Sequence, residues 1–190
     1  MKQTVCLMLV SGALTWAQSN VKGILPPTQS LGTNVELTVY VVSGLANPPA
    51  GTKDEIPPDL TSMLQQLHGV FMYKNYKLVD EFTLRSRNGG GAEIGGELSY
   101  FTGGQYDFKY VRARVSRGGN NPAVVHIDGL RLQITRRTSP ALNSVQSTVA
   151  LVETDLDMTE GQKTVVGKSA MNGDALFLVV VPKVIVSDAQ

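Results

Sequence analysis

From Asn34 to the end, the chain consists almost entirely of runs that alternate apolar and polar residues, cut at short intervals by glycine, asparagine and proline. A period of two puts successive side chains on opposite faces of an extended backbone, so each run predicts a strand with one face for a core and one for water. Asn34 to Ser43 sets Val35, Leu37, Val39 and Val41 on one face. Lys74 to Arg87, Ala92 to Tyr100, Gln105 to Arg117 and Ala123 to Arg137 continue the pattern, and Ser144 to Asp157, Lys163 to Lys168 and Asp174 to Val186 complete it. The breaks are rich in residues that turn a chain: Asn88-Gly89-Gly90-Gly91, Gly103-Gly104, Gly118 to Pro122, Thr159-Glu160-Gly161 and Asn172-Gly173. The expected fold class is mainly β (α+β), with antiparallel strands and hairpins packed as a β-sandwich, and Asn88 to Gly91 as one hairpin connection.

One segment has a different period. In Asp59 to Leu67 the residues Leu60, Met63, Leu64 and Leu67 fall at helical spacing, Pro57-Pro58-Asp59 supplies a start and Gly69 a stop, which predicts one substantial helix near residues 59–67. The last strand is also distinctive. Leu176 to Val181 is apolar without alternation, as in a strand covered on both faces, while Pro182 lacks an amide donor and is expected at or near a sheet edge.

The N-terminus predicts export. Lys2 precedes an apolar or small run from Thr4 to Ala17, and Thr15 and Ala17 put small residues where a signal peptidase cuts, so residues 1–17 read as a signal peptide. The run is too short to span a bilayer and nothing comparable follows, so a free periplasmic or extracellular domain is expected after cleavage, with no membrane span. Residues 18–33, with Pro26-Pro27, read as a mobile leader. A β-rich α+β region over 34–137 and a second β region over 138–190 packed on it are expected, divided near Pro140, with one single domain over 34–190 as the alternative. The sole cysteine, Cys6, lies in the signal, so thiol chemistry, disulfides and cysteine-based metal sites are excluded from the mature chain.

Without Lys2 the chain carries 16 basic and 16 acidic residues, which argues against general attraction to nucleic acid or anionic membrane. The charges are unevenly placed: Lys74 to Arg137 holds eleven Lys/Arg against six Asp/Glu, and Thr138 to Gln190 holds three against six. A basic middle meeting the acidic end of a second copy would assemble head to tail.

Motif-like patterns are few. Gly161 to Ser169 nearly spells a phosphate-binding loop, but it has one residue too many between its glycines and precedes strand rather than helix. Asp155, Asp157 and Glu160 form an acidic cluster that could hold Ca²⁺ weakly through oxygens, but it lacks the spacing of a calcium loop, and an acidic turn facing water with no metal is expected. The same Asp155-Leu-Asp157-Met-Thr159 has the form of the aspartate motif of haloacid-dehalogenase-like phosphatases, but lacks the helices that motif needs. The two histidines, His68 and His126, have no HExxH or GxSxG context, although Asp128 shares a strand face with His126. Tyr106, Phe108 and Tyr110 lie on one face of a strand, and strict alternation continues that face through Arg112 and Arg114, a pattern suited to binding a glycan.

The last third has a recognisable order. Glu160-Gly161-Gln162, Thr164-Val165-Val166-Gly167 and, after an apolar strand, Pro182-Lys183-Val184-Ile185 fall where the C-terminal β-region of bacterial secretins carries "DGQTVVLGGL" and "ELLIFITPRII". This part of the chain resembles that region of the outer-membrane rings of type II and type III secretion and type IV pili. It departs from the pattern at Lys168, which stands where the second glycine would be, and in the short segment between the motifs, where secretins insert gate and membrane-lip hairpins. No run of ring-building modules precedes it. The resemblance implies an exported relative or fragment of that β-architecture rather than a complete pore.

The expected function is that of an exported, non-enzymatic structural or protein-interaction domain of the cell envelope, acting on a protein partner or as a homo-oligomer, with no cofactor. The association surface is expected at the edge formed by Leu176, Leu178, Val180 and Pro182, with Arg136 and Arg137 supplying charge. The alternative is a glycan-binding module that uses Tyr106, Phe108, Tyr110, Arg112 and Arg114.

Overall fold

The computed structural model describes residues 32–98, 100, 102–119, 121–137, 146–171 and 173–186, all within the compact unit Leu31–Gln190. The expected signal, the leader up to residue 31 and the expected boundary around Pro140 lie outside the described residues. In chain order the elements are β1 (Thr33–Leu45), a 3-10 turn (Pro58–Leu60), α1 (Thr61–Val70), β2 (Asn75–Arg87), β3 (Ala92–Leu98), β4 (Gly104–Tyr110), β5 (Arg112–Ser116), β6 (Val124–Arg137), β7 (Gln146–Thr159), β8 (Thr164–Met171) and β9 (Asp174–Val186). The fold is mainly β with one small helical segment, as the alternation predicts.

Two antiparallel sheets face each other. The first has the order β2-β1-β9-β8. In the second, β3 pairs with β4, β4 and β5 share one side of the long β6, and β7 runs along its other side. The core between the sheets joins Val35, Leu37, Val39 and Val41 of β1 and Leu176, Leu178 and Val180 of β9 to Phe108, Val125, Ile127, Leu130, Leu132 and Ile134 of the second sheet. The first sheet thus takes β1 and β2 from the 34–137 region and β8 and β9 from the 138–190 region.

A third layer explains the unbroken apolar run of β9. The helix sets Leu60, Met63, Leu64 and Leu67 on Tyr40, Val42, Phe177 and Val179, which point away from the sandwich core. Both faces of β1 and β9 are therefore buried where α1 lies, and alternation is lost there. Where the helix does not reach, β1 alternates again and Glu36 forms an ion pair with Arg85. Tyr40 lies under this layer; its hydroxyl donates to the Asp59 carboxylate at 3.2 Å, and burial, with Asp59 and Glu81 nearby, pushes its pKa up to about 12. The helix starts through the 3-10 turn at Pro58 and runs past Gly69 to Val70; the Phe71 amide then closes it by donating to the Leu67 carbonyl at 2.8 Å.

Two expectations are corrected. Asn88 to Gly91 is a corner between sheets rather than a hairpin, since β2 and β3 lie in different sheets. It holds both: the Asn88 amide donates to the Thr33 carbonyl at 2.9 Å, and the Gly89 amide to the Ala113 carbonyl at 2.7 Å. Nor is β9 an edge strand, because it lies between β1 and β8. Pro182 is accommodated on the side facing β8, whose pairing with β9 starts at Thr164 opposite Val180 and so stops short of the proline. The turn after β7 completes this stretch: the Gly161 amide donates to the Pro182 carbonyl at 2.8 Å and the Val184 amide to the Glu160 carboxylate at 3.0 Å.

Because Leu178 is enclosed and Leu151 is 46% exposed, Leu178→Ala is expected to cost about 2–5 kcal/mol and Leu151→Ala under about 1 kcal/mol, read from urea midpoints at constant m value. Glu160→Ala removes a charged acceptor from a half-buried amide and is expected to cost about 1–2 kcal/mol, with faster hydrogen exchange at Val184 than at Val180. Equal losses for the two leucines, or an unchanged Val184, would contradict this packing.

Candidate functional site

The proposed aromatic and arginine face does not form. Phe108 and Tyr110 are buried in the sandwich core, and Tyr106 stacks on Phe82 of the facing sheet with ring centroids 4.8 Å apart. Arg112 and Arg114 are exposed on the opposite face. The cause is a phase slip. Gly129 adopts φ +63° and makes a bulge in β6 between Ile127 and Leu130, and β4 breaks from β5 at Val111, whose amide donates to the Asp128 carbonyl at 2.9 Å. A Cβ at Gly129 would lie 2.6 Å from Val111 Cγ2, so the bulge and the break require glycine there. After the slip Ala113 faces the core and the arginines face water.

On that outer face the acidic end of the chain lies beside its basic middle, because β7 pairs with β6. Arg131 stands opposite Glu153 in register, and Arg114 Nη2 forks onto Asp128 at 3.1 and 3.3 Å. The carboxylates of the acidic cluster go to separate tasks: Asp155 accepts the Gly129 amide, Asp157 holds His126, and Glu160 holds the Val184 amide. Among the described residues no three His, Cys, Asp or Glu converge as a metal site.

A constellation absent from the sequence reading appears across β5, β6 and β7. Ser116 Oγ lies 2.8 Å from His126 Nε2, and His126 Nδ1 lies 2.6 Å from Asp157 Oδ1. Asp157 stands directly opposite His126 on β7, while Ser116 reaches it diagonally from β5. Alternation alone coupled His126 to Asp128; only the β6–β7 register reveals Asp157 as its partner. His68, at the end of α1, instead contacts Asp54 at 3.3 Å and packs edge-on against Tyr76.

The residues expected to associate are mostly internal. Leu176, Leu178, Val180 and Pro182 are buried, because β9 is central, whereas Arg136 and Arg137 are exposed at the end of β6. The strands that end the sheets are β2 and β8 in the first and β3, β5 and β7 in the second. On the β7/β8 side, Val165 and Leu151 are exposed, and Gly167 brings β8 close to β7, since a Cβ there would lie 2.6 Å from Val152 Cγ1. Lys168 and Ser169, the end of the near phosphate-loop pattern, lie within β8, which supplies no helix N-terminus. Among the described residues no helix is long and apolar enough to cross a membrane.

No protein-family description matches the chain, and no curated protein matches its sequence. Among solved structures, the type II secretin GspD of enteropathogenic Escherichia coli is similar with a TM-score of 0.41 and 13% identity, over 81% of this chain and 69% of that one. The type II secretion system secretin GspD of E. coli K12 is similar with a TM-score of 0.35 and 10% identity, over 81% of this chain and 49% of that one, so the chain spans about half its length. Both alignments extend well beyond the last third of the chain, where the motif resemblance lies. At these values the functional reading rests on this chain's own geometry.

Proposed function

We propose that the chain is an exported, non-enzymatic structural or protein-interaction domain of the cell envelope, secretin-like in its last third, that works by self-association or by binding a protein partner through a free strand edge. The observation that carries this reading is the β7/β8 side of the sandwich. There each sheet ends in a strand that, among the described residues, pairs on one side only, with Val165 and Leu151 exposed beside it. An unpaired strand edge is a row of amides and carbonyls that pairs with another chain. The secretin resemblance points to the same place. Thr164 to Gly167 lie on β8, and Glu160-Gly161 and Pro182 to Val184 hold each other through the two bonds at its base. Export is supported by the apolar run from Thr4 to Ala17. The glycan-binding reading loses its support, because its aromatic platform is core.

Charge is assigned a small role. Arg114 and Asp128, and Arg85 and Glu36, are ion-paired within one chain, so a head-to-tail contact has less unmatched charge to use. Light scattering is expected to give a mass above the monomer that persists from 0.1 M to 1 M salt, although the Debye length falls from about 10 Å to about 3 Å. Val165→Lys, which places a charge at the edge, is expected to shift the equilibrium to monomer. A wild-type monomer at every concentration, with no partner captured through β8, would contradict the proposal.

A further inference from the structure

We propose that Ser116 is an acyl-acceptor nucleophile, activated by His126 and oriented by Asp157, and that it takes acyl groups from small, unhindered activated esters. This inference is independent of the association reading and describes a single acylation of the chain, without turnover. Its basis is a chain of two short contacts on one solvent-facing surface: Ser116 Oγ to His126 Nε2 at 2.8 Å and His126 Nδ1 to Asp157 Oδ1 at 2.6 Å. A carboxylate at that distance holds the imidazole proton on Nδ1, which leaves the Nε2 lone pair directed at the serine hydroxyl. A nucleophile within reach of a base that a third group orients is the recurring arrangement of activated serines.

The surroundings favour this role over a packing role. All three side chains stand on paired strands, so their spacing is set by the β5–β6 and β6–β7 registers rather than by a loop. Arg114, which lies opposite His126, is engaged by Asp128, so it does not compete for Asp157. Ser116 is exposed, and the side chains of His126 and Asp157 are 33% and 69% exposed. A network that stabilised the fold would be expected further inside. The open face sets the substrate class, because side chains that reach solvent admit a small, unhindered acyl donor.

Ser116 Oγ attacks the carbonyl carbon of the ester while its proton passes to His126 Nε2, and Asp157 stabilises the imidazolium through Nδ1. The tetrahedral adduct collapses, the bond from carbon to the leaving oxygen breaks, and the leaving group departs as the phenolate or alkoxide. The acyl group stays on Oγ and the proton is released from His126 to solvent or to the leaving group.

The test uses the full chain, p-nitrophenyl acetate near neutral pH and peptide mass spectrometry. Ser62, which is exposed on α1, serves as an internal reference. Ser116 is expected to acetylate at least about 10-fold faster than Ser62, a modest share of what a positioned base supplies. His126→Gln and Asp157→Asn, at half-buried and exposed positions respectively and checked for folding by circular dichroism, are expected to bring Ser116 down toward the Ser62 rate while leaving Ser62 unchanged. Equal rates at the two serines, or a fast Ser116 that persists in both folded variants, would overturn the proposal.

Discussion

The pairing of β1 with β9 is the interaction on which the rest of the structure depends. Twelve residue pairs, from Thr33 opposite Val186 to Gly44 opposite Ala175, join the first and last strands of the described fold. This ladder is the wall between two apolar layers. Leu37, Val39 and Leu178 face the second sheet, and Tyr40, Val42 and Phe177 face the helix. Each fully buried aliphatic side chain contributes about 1.5–3 kcal/mol, so a strand pair that buries both faces concentrates stability where backbone bonding is also complete. Without it, the helix would have no platform and the second sheet no partner.

A second constraint sets the polar surface. The bulge at Gly129 shifts the phase of β6 by one residue, and the break at Val111 shifts the strands beside it to match. The core therefore stays apolar on both sides of the slip, with Phe108 and Leu132 before it and Ala113 and Ile127 after it. The same slip turns Arg112 and Arg114 outward and leaves Arg114, Ser116, His126 and Asp157 together on the solvent face. Fold and candidate chemistry share this cause.

Most strands were legible because their period is local. Asn34 to Ser43, Lys74 to Arg87 and Asp174 to Val186 fall within a residue or two of β1, β2 and β9, and the helix begins where Pro57-Pro58 predicts. Pairing was less legible because it depends on residues far apart in sequence. Gly-rich segments mark both hairpins and corners between sheets, so Asn88 to Gly91 carried no sign that β2 and β3 would separate. Pro182 suggested an edge, yet one proline beyond the end of a shorter neighbour leaves a central strand intact. The aromatic stripe is not a site because the bulge at Gly129 and the break at Val111 interrupt the alternation between Tyr110 and Arg112. Asp157 is not legible in the sequence as the partner of His126, because 31 residues separate them and only register joins them.

Residue-level hydrogen exchange tests the central claim most directly. If the β1–β9 ladder is the most protected part of the fold, the amides of Val39 to Val42 and Phe177 to Val180 exchange only through global unfolding, while those of α1, β3 and β8 exchange through smaller openings. Slower exchange in α1 or β7 than in these two stretches would contradict it.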